Sequence, residues 1–415
     1  MEKLLIILVI VLAVVVVGQF MKVYQMTAVV RGRRQEDIPE SDNRLNGLLF
    51  ILFMVAFYGF FIWLMVEYGH GGLGPAASEH GAKTDWLLDL NFAIIIAVFF
   101  LTQTMLFVFA YRYYYKEDRK ALFYPHNNKL ELLWTVVPSM VLAVIIILGL
   151  RTWNDIMFSD DEDATVIEVY SEQFAWTARY AGADNVLGKA DYKLKTATNG
   201  LGVVTTATIE ERRIELNKQI EESKDLLENT IMPDWEREEM ETKVVRMNRL
   251  LNRIDDLEQV ILSDTSMDWN AAANDDVVTK EIHLVVNKPY KFQFRSQDVI
   301  HSAYFPHFRA QMNTVPGMRT SFSFTPTITT DSMRLVMNDP KFDYVLLCNK
   351  ICGAGHNGMQ MKIVVESQEQ YDMWLSEQKL FGASDEAPAE GESEGEGNTE
   401  EGMSEETAMV EESDE

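Results

Sequence analysis

Four uncharged apolar runs constrain this chain more than any other feature. Leu4–Met21, Asn46–Val66, Asn91–Tyr111 and Leu132–Leu150 carry no charged residue, and each is 18 to 21 residues long. A helix of about 20 apolar residues crosses the hydrocarbon core of a bilayer. A buried helix of a soluble core could match one such run; four of them predict a membrane domain over residues 1–151. Charge fixes its orientation. The loops at 22–45 (Lys22, Arg31, Arg33, Arg34, Arg44) and 112–131 (Arg112, Lys116, Arg119, Lys120, Lys129) hold five basic residues each, whereas 67–90 holds only Lys83. The positive-inside rule places the two basic loops in the cytoplasm. The N-terminus and everything after Leu150 are then expected outside, in the periplasm if the membrane is a bacterial inner (plasma) membrane. The first run follows Lys3 and could be read as a cleaved signal. Cleavage would invert the later helices, so a retained span is expected.

Beyond residue 151 the pattern changes to short alternating runs. "ATVIEVYSEQFAWTARY" (164–180), "EIHLVVNKPYKFQF" (281–294), "TSFSFTPTITT" (320–330) and "SMRLVM" (332–337) are rich in β-branched and aromatic residues and are bounded by Asn, Pro, Asp and Gly. They predict strands of a small all-β sandwich or barrel over 152–382. Residues 207–262 break the pattern. Ile209, Leu216, Ile220, Leu227 and Ile231 form one helical stripe; Met240, Val244, Met247, Leu251, Ile254, Leu257 and Ile261 form another. Pro233 separates them and Asp234 is the expected N-cap of the second. The reading is an inserted antiparallel helical hairpin, either a surface decoration or a docking arm for a neighbouring protein.

The formal charge of −26 is concentrated at one end: residues 383–415 carry 14 acidic and no basic groups. So polar a tail cannot offset its ordering entropy and is expected to be disordered. No basic stripe stands outside the cytoplasmic loops, which points away from nucleic acid.

The only two cysteines lie in "LLCNKICGAGHNGMQMK" (346–362). Cys348, Cys352, His356 and Met359 would share a helix face, but Gly353, Gly355 and Gly358 would each cost about 1 kcal/mol in a helix interior. The segment reads as a loop whose spacing is compatible with a disulfide, a zinc site or a copper site. His301, in "RSQDVIHSAYFPHFRAQMNTVPG", is the best further ligand, and His307 is its competitor.

Taken together, "QDVIHS…VPGM", "C-x-x-x-C-G-x-x-H-x-x-M" and "NNKLELLWTVVPSM" (127–140) resemble subunit II of heme–copper cytochrome c oxidases, over residues 85–185 and 278–376. The resemblance implies four transmembrane helices followed by a cupredoxin-like Greek-key β-barrel. It also implies two copper ions (the binuclear copper-A centre) bridged by Cys348 and Cys352, with His301, His356, Met359 and the Lys350 carbonyl as the remaining ligands. Soft thiolate and thioether with imidazole suit copper; zinc would leave Met359 without a role.

Two departures matter. Lys350 stands where the family carries a Glu that helps hold an interfacial magnesium, which calls that contact into question. Gln173-Phe174-Ala175-Trp176 replaces the family's Q-W-x-W, so electron uptake is expected through Phe174, Trp176 or Tyr304. Glu131, at the cytoplasmic mouth of the fourth span, either caps its helix or begins a proton-uptake path. The implied partners are a heme–copper catalytic subunit I, other oxidase subunits, a c-type cytochrome donor and the lipid bilayer, with a respiratory supercomplex partner as the candidate at the hairpin. No C-x-x-C-H occurs, so no heme is expected in this chain.

Overall fold

The computed structural model describes residues 2–30, 32, 38–69, 72–158 and 163–383. The acidic tail beyond 383, with Arg31, Arg33 and Arg34 of the first loop, lies outside the described residues. Four long helices come first: α1 (Glu2–Val30), α2 (Glu40–Tyr68), α3 (Glu79–Arg112) and α4 (Asn128–Met157). Each is long and apolar enough to cross a membrane, and their side chains are almost wholly uncovered by the rest of the chain. In lipid such exposure is stable, because the helix satisfies its own backbone groups. α2 and α3 pair through aromatic contacts such as Phe53 with Phe107. Tyr58 adds hydrogen bonds to the Phe100 carbonyl and Thr104.

The rest of the chain adds β1 (Thr165–Glu172), β2 (Ala175–Tyr180), α5 (Thr206–Asn229), α6 (Asp234–Ser263), α7 (Trp269–Asn274), β3 (Val277–Thr279), β4 (Ile282–Val285) and β5 (Tyr290–Ser296). Then follow β6 (His301–Phe305), β7 (Ala310–Thr314), β8 (Thr320–Phe324), α8 (Thr330–Met337), β9 (Tyr344–Cys348), β10 (Gln360–Glu366) and α9 (Gln368–Ser376). The expected β domain takes the form of two five-stranded sheets, ordered β3-β2-β1-β5-β8 and β4-β10-β9-β6-β7. Between them lies a single apolar core including Ile167, Val169, Trp176, Phe292, Phe294, Phe305, Leu346 and Ile363. The other face of β1 is covered as well. There Arg179, 1% exposed, bridges Glu168 and Asp276.

Three local expectations need correction. Residues 332–337 are helical, not a strand. Thr329 caps α8 by accepting from the Ser332 N–H, and only Thr330 and Met333, three apart, are buried. A six-residue apolar run is ambiguous between the two periods, and the cap decides it. The strand predicted over 320–330 stops at Phe324. In the hairpin, Pro233 rather than Asp234 occupies the cap position of α6, with Asp234 in its first turn.

The hairpin is built as the two stripes require. Ile209, Leu216 and Ile220 of α5 meet Met247, Ile254 and Ile261 of α6 in a core separate from that of the sandwich, joined by Leu194 and Val204. Arg213 reaches across to Asp255 and Glu258. Ile231, assigned to the stripe, falls beyond α5 and is fully exposed.

One element of the β domain comes from the membrane half. The α2–α3 loop enters the sandwich: the Ala77 N–H donates to the His307 carbonyl at 2.8 Å, and the Thr327 N–H donates to the Ala77 carbonyl at 2.8 Å. Ser78 then caps α3, accepting from Gly81 and donating to the Phe308 carbonyl.

Candidate metal centre

Backbone pairing assembles the site. β6 and β9 run antiparallel with Ala303 opposite Cys348, which sets His301, at the start of β6, beside Cys348, at the end of β9. The Cys348 N–H donates to the Met359 carbonyl at 3.1 Å, so the 349–358 loop closes on itself and returns Met359 under the cysteines. Gly353 makes the sharp turn with φ +144°, a conformation L side chains rarely adopt.

Inside this loop Cys348 Sγ lies 3.8 Å from Cys352 Sγ, 3.9 Å from His301 Nδ1 and 3.2 Å from the Lys350 carbonyl. Cys352 Sγ lies 3.6 Å from His356 Nδ1 and 3.9 Å from Met359 Sδ. The sulfurs are unbonded, since a disulfide needs about 2.05 Å, and both cysteines are free. The donors of His301, Cys348 and Cys352 all lie within 4.8 Å of one another, and His356 approaches from the Cys352 side. His301 is wholly buried and Met359 is 1% exposed. Burial, then the neighbouring Cys348, push the Cys352 thiol up to about 11; a cation is what would hold such a pair of thiolates.

Two residues to which the sequence reading gave no role at the site support the candidate ligands. Asp298 Oδ1 faces His301 Nε2 at 2.9 Å. Burial pushes the Asp298 carboxyl up, but hydrogen bonds from His301, Gln173 and Val299 outweigh it and hold the group below its ordinary value. The Gln173 side chain donates to the Cys352 carbonyl. The only signal for Asp298 was its place three residues before His301.

The remaining candidates are scattered. Phe174, 39% exposed, lies against the ligand loop so closely that a Cβ at Gly353 or Gly355 would meet its ring at 2.8 or 2.5 Å. Trp176 is buried, donates to the Met359 carbonyl at 3.3 Å and stands edge-on to His301. Tyr304 is half-buried on β6. The Lys350 side chain is exposed while its carbonyl turns toward Cys348. His307 is outside the cluster: it follows the far end of β6 and packs edge-on against Phe342 and Tyr344. Glu131 sits in the first turn of α4, where its carboxylate accepts from the Asn127 N–H at 3.4 Å while Asn127 caps the Leu130 N–H.

The family described as "Cytochrome C oxidase subunit II, transmembrane domain" matches residues 65–152. The "Alternative cytochrome c oxidase subunit 2" of Bradyrhizobium diazoefficiens is 29% identical, over 74% of this chain and 84% of that one. The chain is a relative of cytochrome c oxidase subunit II. The subunit 2 proteins of Thermostichus vulcanus and Cereibacter sphaeroides are 24% and 25% identical; each alignment spans 74% of this chain, with 79% and 80% of theirs. Among solved structures, the periplasmic domain of subunit II of cytochrome oxidase (CoxB) of Bradyrhizobium japonicum aligns over 51% of this chain and 91% of its own. Its TM-score is 0.24 and its identity 15%. The chain joins four helices long and apolar enough to cross a membrane to a β domain of two packed sheets, and the relatives it matches are subunits of cytochrome c oxidases.

Proposed function

We propose that this chain is the electron-accepting subunit of a proton-pumping cytochrome c oxidase in a bacterial inner membrane. Its periplasmic domain takes electrons from a c-type cytochrome and delivers them to a heme–copper catalytic subunit I, which reduces dioxygen to water. The observation that carries this reading is the convergence of two thiols, two imidazoles, a thioether and a carbonyl at one place, where His301, both cysteines and Met359 are buried. That donor set fits copper: sulfur and imidazole are the ligands copper favours. A closed zinc site would use four of the donors and leave the buried Met359 sulfur idle.

His301, Cys348, Cys352, His356, Met359 and the Lys350 carbonyl would hold two copper ions, which supply a one-electron redox couple when bound. The chain's own contribution is rigidity and access. The β6–β9 pairing and the glycine turn fix the donors, so little reorganisation is left for a change of charge. Phe174 turns one part of its ring to solvent and lays the rest on the loop, which gives a donor protein a contact directly above the site. Trp176 and Tyr304 lie deeper and serve as alternatives. Glu131, placed at the cytoplasmic mouth of α4, would begin a proton-uptake path. Lys350 offers an ammonium where magnesium needs a hard oxygen, so its positive charge replaces that ion against acidic groups of the catalytic subunit.

Copper analysis and EPR of the purified oxidase test the reading. Two coppers in this subunit, with hyperfine structure from an electron shared over both nuclei, are expected. One copper, or one tightly bound zinc, overturns it.

A further inference from the structure

A short polar chain connects the two segments that carry the ligands. Asp298 Oδ1 stands 2.9 Å from His301 Nε2 and also accepts the Val299 N–H at 2.7 Å; Asp298 Oδ2 accepts the Gln173 N–H at 2.7 Å. Gln173, in turn, donates through its side chain to the Cys352 carbonyl. The turn between β1 and β2 thus ties the 298–301 segment to the 348–359 loop, across 125 and 179 residues of sequence.

We infer that Gln173 and Asp298 are positioning residues for the metal centre, Asp298 fixing the His301 ring and Gln173 locking the cysteine loop to it. The inference rests on the copper reading above. An imidazole presents two nitrogens, and the bond made by one decides what the other can do. With Asp298 at Nε2, the ring proton is held there and the Nδ1 lone pair points toward Cys348, the geometry in which a carboxylate raises the basicity of a histidine ligand. His301 is wholly buried with the carboxylate in place. Gln173 has a second effect. It directly precedes Phe174, whose ring fills the space over Gly353 and Gly355. The same residue that holds the Cys352 backbone therefore sets the aromatic ring on the loop. A break in this chain frees both the ligand and the ring above it, while the strand pairing that builds the fold remains.

The test uses the intact oxidase carrying Asp298→Ala, Asp298→Asn or Gln173→Leu, with Asp331→Asn, far from the loop in sequence and 77% exposed, as a control. Chelator competition reads copper affinity and EPR reads the electronic structure. Asp298→Ala should lower affinity by roughly 10- to 100-fold, the usual cost of losing a ligand's hydrogen-bonding partner, and should alter the copper hyperfine pattern. Asp298→Asn keeps an acceptor for the Nε2 proton and should recover most of the affinity. Gln173→Leu should keep both coppers and still shift the hyperfine pattern. If the unsubstituted oxidase lacks two coppers in this subunit, the copper reading fails first. If it has them and Asp298→Ala and Gln173→Leu match the control in affinity and spectrum, the positioning role is wrong. Should Asp298→Ala fail to assemble, Gln173→Leu decides the matter: an unchanged hyperfine pattern refutes it.

Discussion

Arg309 grips Asp85 through both carboxylate oxygens, Nε to Oδ1 and Nη2 to Oδ2, each at 2.9 Å. Asp85 belongs to α3, six residues above the uncharged part of its span, and Arg309 follows β6, the strand that begins with His301. Arg309 also donates to the Gly74 carbonyl at 2.8 Å. One guanidinium thus fastens the β domain to the membrane helices close to the strand that carries a candidate ligand. Asp85→Asn or Arg309→Gln should cost about 1.5–3 kcal/mol, the range for bonds to a charged group. Thermal unfolding of the β domain in detergent checks this. Copper content should be unchanged, because the clamp lies beyond the far end of β6.

Cys348→Ser should abolish the shared-electron EPR signal, since the thiolate lies within reach of every other donor group except Met359 and His356, which gather at Cys352. Met359→Leu conserves volume and should retain both coppers with an altered reduction potential, because a thioether is a weak axial ligand. Potentiometric titration followed by EPR distinguishes the two variants.

The hairpin core shares no buried residue with the sandwich core. Replacing residues 207–262 by a short Gly/Ser linker should therefore leave copper loading intact. Leu194, Val204 and Trp269 lose their cover, so some loss of thermal stability should accompany it. Failure to load copper would make the hairpin part of the site's fold. An oxidase that loads copper but purifies without a partner it otherwise retains would mark the hairpin as a docking arm.

Stability should vary with pH through the buried Glu168–Arg179–Asp276 group. Burial alone would raise Glu168, but Arg179 and Arg295 overcome it and bring the carboxyl down from 4.5 to about 2. A depressed carboxylate contributes stability that is present above the ordinary value and is lost as pH falls toward 2. Burial raises Asp276 from 3.8 to about 7 against the pull of Arg179, and the sign reverses: stability falls as pH rises from about 4 through 7. Chemical denaturation across pH should show an optimum between these limbs. Asp276→Asn should flatten the upper limb. Glu168→Gln, which leaves the buried Arg179 and the part-buried Arg295 short of a partner, should cost about 3–5 kcal/mol.

Lys350→Glu should leave the copper spectrum nearly unchanged, because only the carbonyl at 350 turns toward Cys348. Manganese substitutes for magnesium in oxygen-ligand sites. Oxidase from manganese-grown cells should therefore hold no tightly bound manganese at this subunit's interface; one per enzyme, detected by EPR, would show that Lys350 does not replace the metal.

The sequence alone determined the parts that depend on period and composition. Uncharged runs such as Asn46–Val66 admit only a lipid-facing helix, and the stripe from Ile209 to Ile220 against Met247 to Ile261 admits only a paired helix. The cysteine loop was legible because its ligand types and glycines fall within 12 residues. Tertiary structure decided what lies far apart in the chain or changes with a cap. It turned 332–337 into a helix through Thr329. It sent Ala77 from a membrane loop into the sandwich core and Asp85 to Arg309. It set His301 beside Cys348 and His307 beyond the far end of β6, through strand pairing. It also brought Gln173 and Asp298 to the site. Such residues leave no periodic signal, because a hydrogen bond between distant segments depends on where the backbone has already been placed.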